Sequence, residues 1–206
     1  MYQGEKFNSV THLVGAALAV SGLSILVTVA VLQGDAWKVL SFSIYGSTLV
    51  LLYGVSTFYH SIKNEKAKSV LQIIDHNAIY LLIAGSYTPI TLVTLRSSWG
   101  WTLFGLIWGL ALFGIVQELT LGRYTRRLSM TLYVLMGWLI VIAIKPLVRA
   151  MPMAGLLLLA VGGIVYSLGI YFYINSERHK HYHGIWHLFV LGGSLSHFLC
   201  ILLYVA

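Results

Sequence analysis

The sequence contains seven apolar segments, each about as long as a helix that crosses a lipid bilayer. Such a helix needs roughly 20 predominantly apolar residues. The segments occupy approximately residues 10–32, 39–61, 70–95, 101–121, 128–147, 154–174 and 184–205. Short polar connections separate them, and none is long enough to form a second domain. The sequence therefore predicts an all-α, polytopic membrane protein in which residues 1–206 form a single seven-helix domain.

The composition excludes the main classes of water-soluble protein. Hydrophobic residues make up 58% of the 206 residues and charged residues only 9%, whereas a soluble domain carries roughly 25% charged residues. The single cysteine, Cys200, cannot form an intrachain disulfide. The 13 Lys and Arg residues are scattered between apolar segments and form no stripe for nucleic acid. The predicted partners are membrane lipids and not nucleic acid, and the predicted location is the cell membrane.

The distribution of basic residues predicts the orientation of the chain. With seven spans, the amino-terminal segment and the even-numbered connections lie on one side and hold nine of the Lys and Arg residues. The other side holds the remaining four, which are Lys38, Arg96, Arg149 and Lys145 near the end of the fifth span. Short connections rich in Lys and Arg stay in the cytoplasm. We therefore expect a cytoplasmic amino terminus and an external carboxyl terminus.

Polar residues inside the predicted spans gather at the cytoplasmic ends. Ionisable residues within a membrane are costly and mark functional sites by default. Neighbouring spans run in opposite directions, so the end of the second span lies at the same depth as the starts of the third and seventh. Five side chains that can bind a metal or move a proton share this depth: Ser56, His60, Asp75, His183 and His187. The sequence thus predicts one polar site near the cytoplasmic face.

The spacing of these residues favours a metal centre. His183 and His187 are four residues apart, so both imidazoles lie on one face of a helix and can bind one ion. A third histidine from another helix leaves one position open for water, as in catalytic zinc sites. Zinc lowers the pKa of its water to about 7. Asp75 is then the candidate general base, and Ser56 is the candidate for orienting the water or a substrate carbonyl.

The same residues also permit a purely structural interpretation. Buried histidines often bond one membrane helix to another, and Asp75 can pair with a neighbouring Arg or His. His76 points about 100° away from Asp75 on its helix, so we expect at most a supporting role. His197 lies about 15 Å deeper than His187 and is predicted to be a buried hydrogen-bonding residue. Specific roles stay open for five residues: Glu5, His12, His76, Glu118 and His197.

Five short motifs stand out along the chain: Glu5-x2-Asn8-x2-Thr11-His12, Ser56-x3-His60, Asp75-His76, Gly85-Ser-Tyr-Thr-Pro89 and His183-x2-Trp186-His187. Together they resemble the hemolysin III family, the bacterial branch of the progestin and adipoQ receptor (PAQR) proteins, which are related to alkaline ceramidases. The resemblance covers nearly the whole chain. It implies a zinc ion bound by His60, His183 and His187, with a water held near Asp75 and Ser56. It also implies hydrolysis of lipid amides of the ceramide type.

Three functions are compatible with these features. The first is a membrane-embedded zinc hydrolase that cleaves a lipid amide or ester near the cytoplasmic face. The second is a non-enzymatic sensor or regulator of membrane lipids, in which a structural zinc clamps the second span to the seventh. The third is a pore-forming haemolysin, which is disfavoured because the charged residues gather at one end of the spans and line no path. A closed structural site has four protein ligands and no need for Asp75, so the presence of a candidate base separates the first two functions.

Overall fold

The computed structural model describes residues 4–96, 98–121 and 126–206, and over these ranges it contains helices and turns but no strand. The α-helices are α1 (Lys6–Gln33), α2 (Ala36–Ser61), α3 (Glu65–Pro89), α4 (Ser98–Thr120), α5 (Arg126–Gly137), α6 (Ile144–Ala150), α7 (Met153–Ile174) and α8 (Tyr182–Tyr204). A π-helical turn, Ile90–Thr94, continues α3, and a 3₁₀ turn, Leu139–Ala143, leads into α6. Arg123, which contributes to the predicted charge balance, lies outside the described residues.

Seven helical segments are long and apolar enough to cross a membrane, which confirms the predicted all-α, seven-span architecture. Several helices begin earlier than the apolar segments do. The third span, for example, starts at Glu65 because the Asn64 side chain accepts a hydrogen bond from the N–H of Ala67 at 3.0 Å. Asp35 caps α2 in the same way, at 2.9 Å from the N–H of Trp37. Such caps satisfy backbone donors that have no partner within the helix.

Packing follows the order of the chain and then closes between its first and last helices. Helix α1 contacts α2 and α8, α8 contacts α7, and α2 contacts α3, which in turn contacts α4 and α5. Large side chains such as Phe42, Tyr45 and Tyr80 fill the interior. Many apolar side chains face outward, and Leu32 is 82% exposed. In a bilayer these outer faces contact acyl chains, so their exposure agrees with a membrane location.

The fifth span is not a continuous α-helix. Pro146 lies in the first turn of α6 and has no N–H to donate to the preceding turn. The backbone therefore leaves the α-helical path before α6 begins, and some of its polar groups need other partners. The Tyr87 hydroxyl supplies them: it accepts from the N–H of Ile140 and donates to the carbonyl of Gly137, both at 2.9 Å. A break at membrane depth is tolerated when protein groups satisfy the backbone in this way.

The starts of α1, α3 and α8 and the end of α2 meet at one end of the bundle. Glu5 contacts both His60 and Lys68, and His60 contacts His183. This is the arrangement that alternating spans predict for the polar site.

The side of the membrane on which this end lies can be tested with reporter fusions. The excess of Lys and Arg at this end predicts that it is cytoplasmic and that Ala206 is external. A reporter active only outside the cytoplasm should therefore be active after Ala206 and inactive in the connection between α2 and α3. A cytoplasmic reporter at the same two positions is the control and should give the reverse pattern. The same side for both positions would contradict the predicted orientation.

Candidate metal centre

Three histidine side chains converge where the end of α2 meets the start of α8. His60 is the penultimate residue of α2, and His183 and His187 lie in the first turns of α8. One nitrogen of each ring can be chosen so that all three lie within 4.8 Å of one another. The Nε2 atoms of His60 and His183 are 3.3 Å apart. Two nitrogen ligands of a tetrahedral zinc ion with bonds of about 2.0–2.1 Å lie roughly 3.3 Å apart, so the spacing fits such an ion.

Two of these histidines have a hydrogen-bond acceptor close to their Nδ1 atom. The Nδ1 atom of His60 lies 2.7 Å from a carboxylate oxygen of Glu5. The Nδ1 atom of His187 lies 3.3 Å from the carbonyl oxygen of Asn8 and 3.2 Å from the hydroxyl of Thr11. Metal-binding histidines commonly donate their other N–H to a carboxylate or a carbonyl. The hydrogen-bond partners of His60 and His187, like the spacing of the cluster, are compatible with metal binding.

Glu5 is held as a carboxylate at the membrane boundary. Burial raises its pKa, but hydrogen bonds from His60, Asn8 and Lys68 outweigh this effect and lower the pKa to about 2. The Asn8 amide donates to one carboxylate oxygen at 2.7 Å, and the Lys68 ammonium donates to the other at 3.1 Å. At neutral pH the group is therefore ionised and accepts hydrogen bonds from three side chains.

Asp75 and Ser56 lie beside the histidine cluster. Ser56 is buried on α2, four residues before His60, and it hydrogen-bonds with Asp75 of α3. Asp75 is also close enough to His60 for their charges to interact. The structure thus brings together the five residues that the sequence places at one depth. Their roles as ligands, base and orienting group stay predictions.

The amino-terminal turns of α1 contribute more to this site than the sequence indicates. His12 stacks on His187 with ring centroids 3.6 Å apart, and the Tyr53 ring packs edge-on against His12 at 5.2 Å. Neither ring nitrogen of His12 has a hydrogen-bond partner among the described residues. Residues 5, 8 and 12 follow the spacing of one helix face, and this pattern is the signal that could have identified the segment as part of the site.

His76 and Glu118 belong to a separate polar cluster. The Nδ1 atom of His76 lies 3.0 Å from a Glu118 carboxylate oxygen, and the Ser129 hydroxyl donates to the other oxygen at 2.7 Å. Arg126 contacts the His76 ring and donates to the Tyr173 hydroxyl at 3.1 Å. This cluster connects α3, α4, α5 and α7. The side chain of His76 is thus turned towards Glu118.

His197 lies deeper in the bundle, where its Nε2 atom hydrogen-bonds the carbonyl oxygen of Leu159 at 3.2 Å. A Cβ atom at Gly162 would overlap the His197 ring, so the glycine lets α7 approach α8 closely at this point. This contact agrees with the predicted role of His197 as a buried hydrogen-bonding residue.

Comparison with known proteins relates this architecture to a family. Residues 1–198 match the family described as haemolysin-III related. The chain is 47% identical to Hemolysin-3 of Bacillus cereus over 198 residues, which is 96% of this chain and 90% of that protein. It is 47% identical to the Hemolysin-3 homolog of Bacillus subtilis (strain 168) over 96% of this chain and 92% of that protein. The Monocyte to macrophage differentiation factor of Homo sapiens, a relative of the PAQR type, is 28% identical over 84% of this chain and 74% of that protein.

The match to the family covers all of α1 to α7 and most of α8, including every residue of the histidine cluster and the Asp75–Ser56 pair. The seven apolar helices agree with a multi-pass protein of the cell membrane. The chain therefore belongs to the haemolysin-III related family of integral membrane proteins.

Proposed function

We propose that this protein is a zinc-dependent hydrolase embedded in the membrane, and that it cleaves an amide or ester bond of a lipid near the cytoplasmic face. The observation that carries the proposal is the convergence of His60, His183 and His187 beside the pair formed by Asp75 and Ser56. A set of nitrogen ligands next to a carboxylate is the arrangement that metal-assisted hydrolysis requires.

The chemistry of the donor set supports zinc as the ion. Within the described ranges, the potential ligand group that contains His60 has three members. Three neutral imidazoles leave one coordination position free, which is typical of catalytic zinc, whereas structural sites have four protein ligands. When bound, zinc supplies a Lewis acid that polarises a carbonyl oxygen and makes water more acidic.

Asp75 and Ser56 account for the movement of the proton. Hydrolysis adds the oxygen of a water molecule to the acyl carbon and breaks the bond from that carbon to nitrogen or oxygen. Asp75 accepts the proton that the attacking water loses and returns it to the leaving amine or alcohol. Ser56 holds the Asp75 carboxylate through their hydrogen bond. No further acid or base is needed for a complete cycle.

The position of the site supports a lipid as the substrate. The cluster lies at the ends of the spans, next to Glu5 at the start of α1. This is the depth at which the bonds between a lipid headgroup and its acyl chains lie. The relation of the hemolysin III family to alkaline ceramidases favours an amide, and an ester presents the same acyl carbon to the same residues.

A lipid sensor with a structural metal is the second candidate function. It is favoured by one observation: the cluster joins α2 to α8, and Glu5 joins the start of α1 to α2. A metal ion bound there would hold three helices together without any turnover.

Measuring lipid hydrolysis and zinc content on the same sample distinguishes the hydrolase from the sensor. We expect wild-type protein in liposomes to contain about one zinc per chain and to release fatty acid from ceramide-like or acyl-ester lipids. A chelator should remove both zinc and activity, and added zinc should restore both. Protein without added lipid substrate and liposomes without protein are the controls. Zinc-loaded protein that cleaves none of the lipids would contradict the hydrolase and favour the sensor.

A further inference from the structure

The start of α1 lies against the outer side of two histidines of the cluster. The Glu5 carboxylate meets the Nδ1 atom of His60 at 2.7 Å, while the Nε2 atom of the same ring faces His183 at 3.3 Å. His60 is almost fully buried, with 2% of its surface exposed. Its two nitrogens therefore have different neighbours: a carboxylate on one side and the histidine cluster on the other.

This asymmetry determines which nitrogen of His60 is available to a metal. A neutral imidazole carries a proton on one nitrogen and a free lone pair on the other. The Glu5 oxygen that lies 2.7 Å from Nδ1 is a hydrogen-bond acceptor, so it favours the proton on Nδ1. The lone pair then lies on Nε2, where the ring faces the cluster. Metal binding needs this lone pair.

Glu5 is itself held in place by two other side chains. Asn8, one helical turn later on α1, donates to the oxygen that faces His60, at 2.7 Å. Lys68 of α3 donates to the other oxygen at 3.1 Å. The carboxylate is thus oriented from two helices and presents one oxygen to a third.

We propose that Glu5 is a positioning residue of the metal centre: its carboxylate sets the tautomer and the ring orientation in which His60 presents Nε2 to the ion. The proposal rests on the proposed metal site, and it adds a helix that provides none of the three ligands. Glu5 acts through His60 and does not contact the ion.

The test is the zinc affinity of purified full-length variants, measured by competition with a chelator of known affinity. Loss of a group that orients a ligand typically lowers metal affinity roughly 10–100-fold, and we expect a loss of this size for Glu5→Ala. Glu5→Gln should lose less, because its amide oxygen still accepts a hydrogen bond from His60. Glu65→Ala is the matched control: Glu65 is an exposed carboxylate at the start of α3, at the same end of the bundle, and its zinc affinity should equal that of wild type.

The thermal stability of the metal-free variants shows whether Glu5 only stabilises the contact between helices or also positions His60. If Glu5→Ala unfolds too easily to be purified, the zinc affinity of Glu5→Gln is compared with that of Glu65→Ala instead. Zinc affinity of folded Glu5→Ala or Glu5→Gln equal to that of Glu65→Ala would overturn the role of Glu5 and leave the metal site intact. Wild-type protein that binds no zinc would instead remove the metal site and the proposed function with it.

Discussion

Replacing His187 with alanine is expected to remove nearly all of the zinc from the protein. His187 is one of only two histidines that α8 gives to the cluster, and its Nδ1 atom is already engaged by Asn8 and Thr11. Two remaining imidazoles hold zinc far less tightly than three. Elemental analysis of protein purified without a metal-affinity tag should show close to one zinc per chain in wild type and a small fraction of that in His187→Ala.

The same substitution should lower thermal stability in the presence of zinc. An ion that binds only the folded state stabilises it by about 2.7 kcal/mol at a free concentration one hundred times its Kd. Wild type should therefore gain thermal stability when zinc is added, and His187→Ala should not. His179→Ala is the matched control, because His179 is an exposed histidine in the connection before α8. Unchanged zinc content in His187→Ala would contradict the assignment of His187 as a ligand.

Replacing Asp75 with asparagine is expected to lower turnover by about 10²–10⁴-fold, the usual contribution of general acid–base catalysis. Asparagine keeps the shape of the side chain and can still hydrogen-bond with Ser56, but it cannot accept the proton. Because Asp75 is not one of the three nitrogen ligands, zinc content should stay near the wild-type value. Lipid hydrolysis and zinc content are measured on the same samples.

Ser56→Ala is the matched comparison for Asp75→Asn. It removes a hydrogen bond worth about 0.5–1.5 kcal/mol, so turnover should fall only about two- to tenfold. Cleavage by Asp75→Asn at the wild-type rate would exclude Asp75 as the base. Glu118 would then be the next carboxylate to consider, although it is already engaged by His76 and Ser129. The sensor function predicts that Asp75→Asn matters only as far as it loosens the fold.

The sequence predicts the meeting of His60, His183 and His187 because depth in a membrane can be counted along the chain. Each span is long enough to cross once, so successive spans alternate in direction and their ends fall on known sides. The i, i+4 spacing then places His183 and His187 on one face of α8. Seven spans and three converging histidines follow from these two regularities, and the structure contains both.

The partners of individual side chains depend on how the helices pack. The depth of His76 in the membrane is compatible with a supporting role for Asp75. Packing of α3 against α4 and α5, however, turns the His76 side chain towards Glu118. The contact of Glu5 with His60 likewise requires α1 to pack against α2. Rotation of a helix about its axis changes such contacts without changing depth, so the pattern of one chain does not determine them.

In the fifth span, too, one property follows from the sequence and another depends on the packing of the helices. The sequence by itself determined that residues 128–147 are apolar and long enough to cross the membrane. An apolar run has this length whether its backbone is α-helical throughout or interrupted, so the 3₁₀ turn Leu139–Ala143 could not be predicted from it. Only the tertiary structure decided that the interruption is tolerated, because Tyr87, 50 residues before Gly137 in the sequence, satisfies the backbone groups at the break.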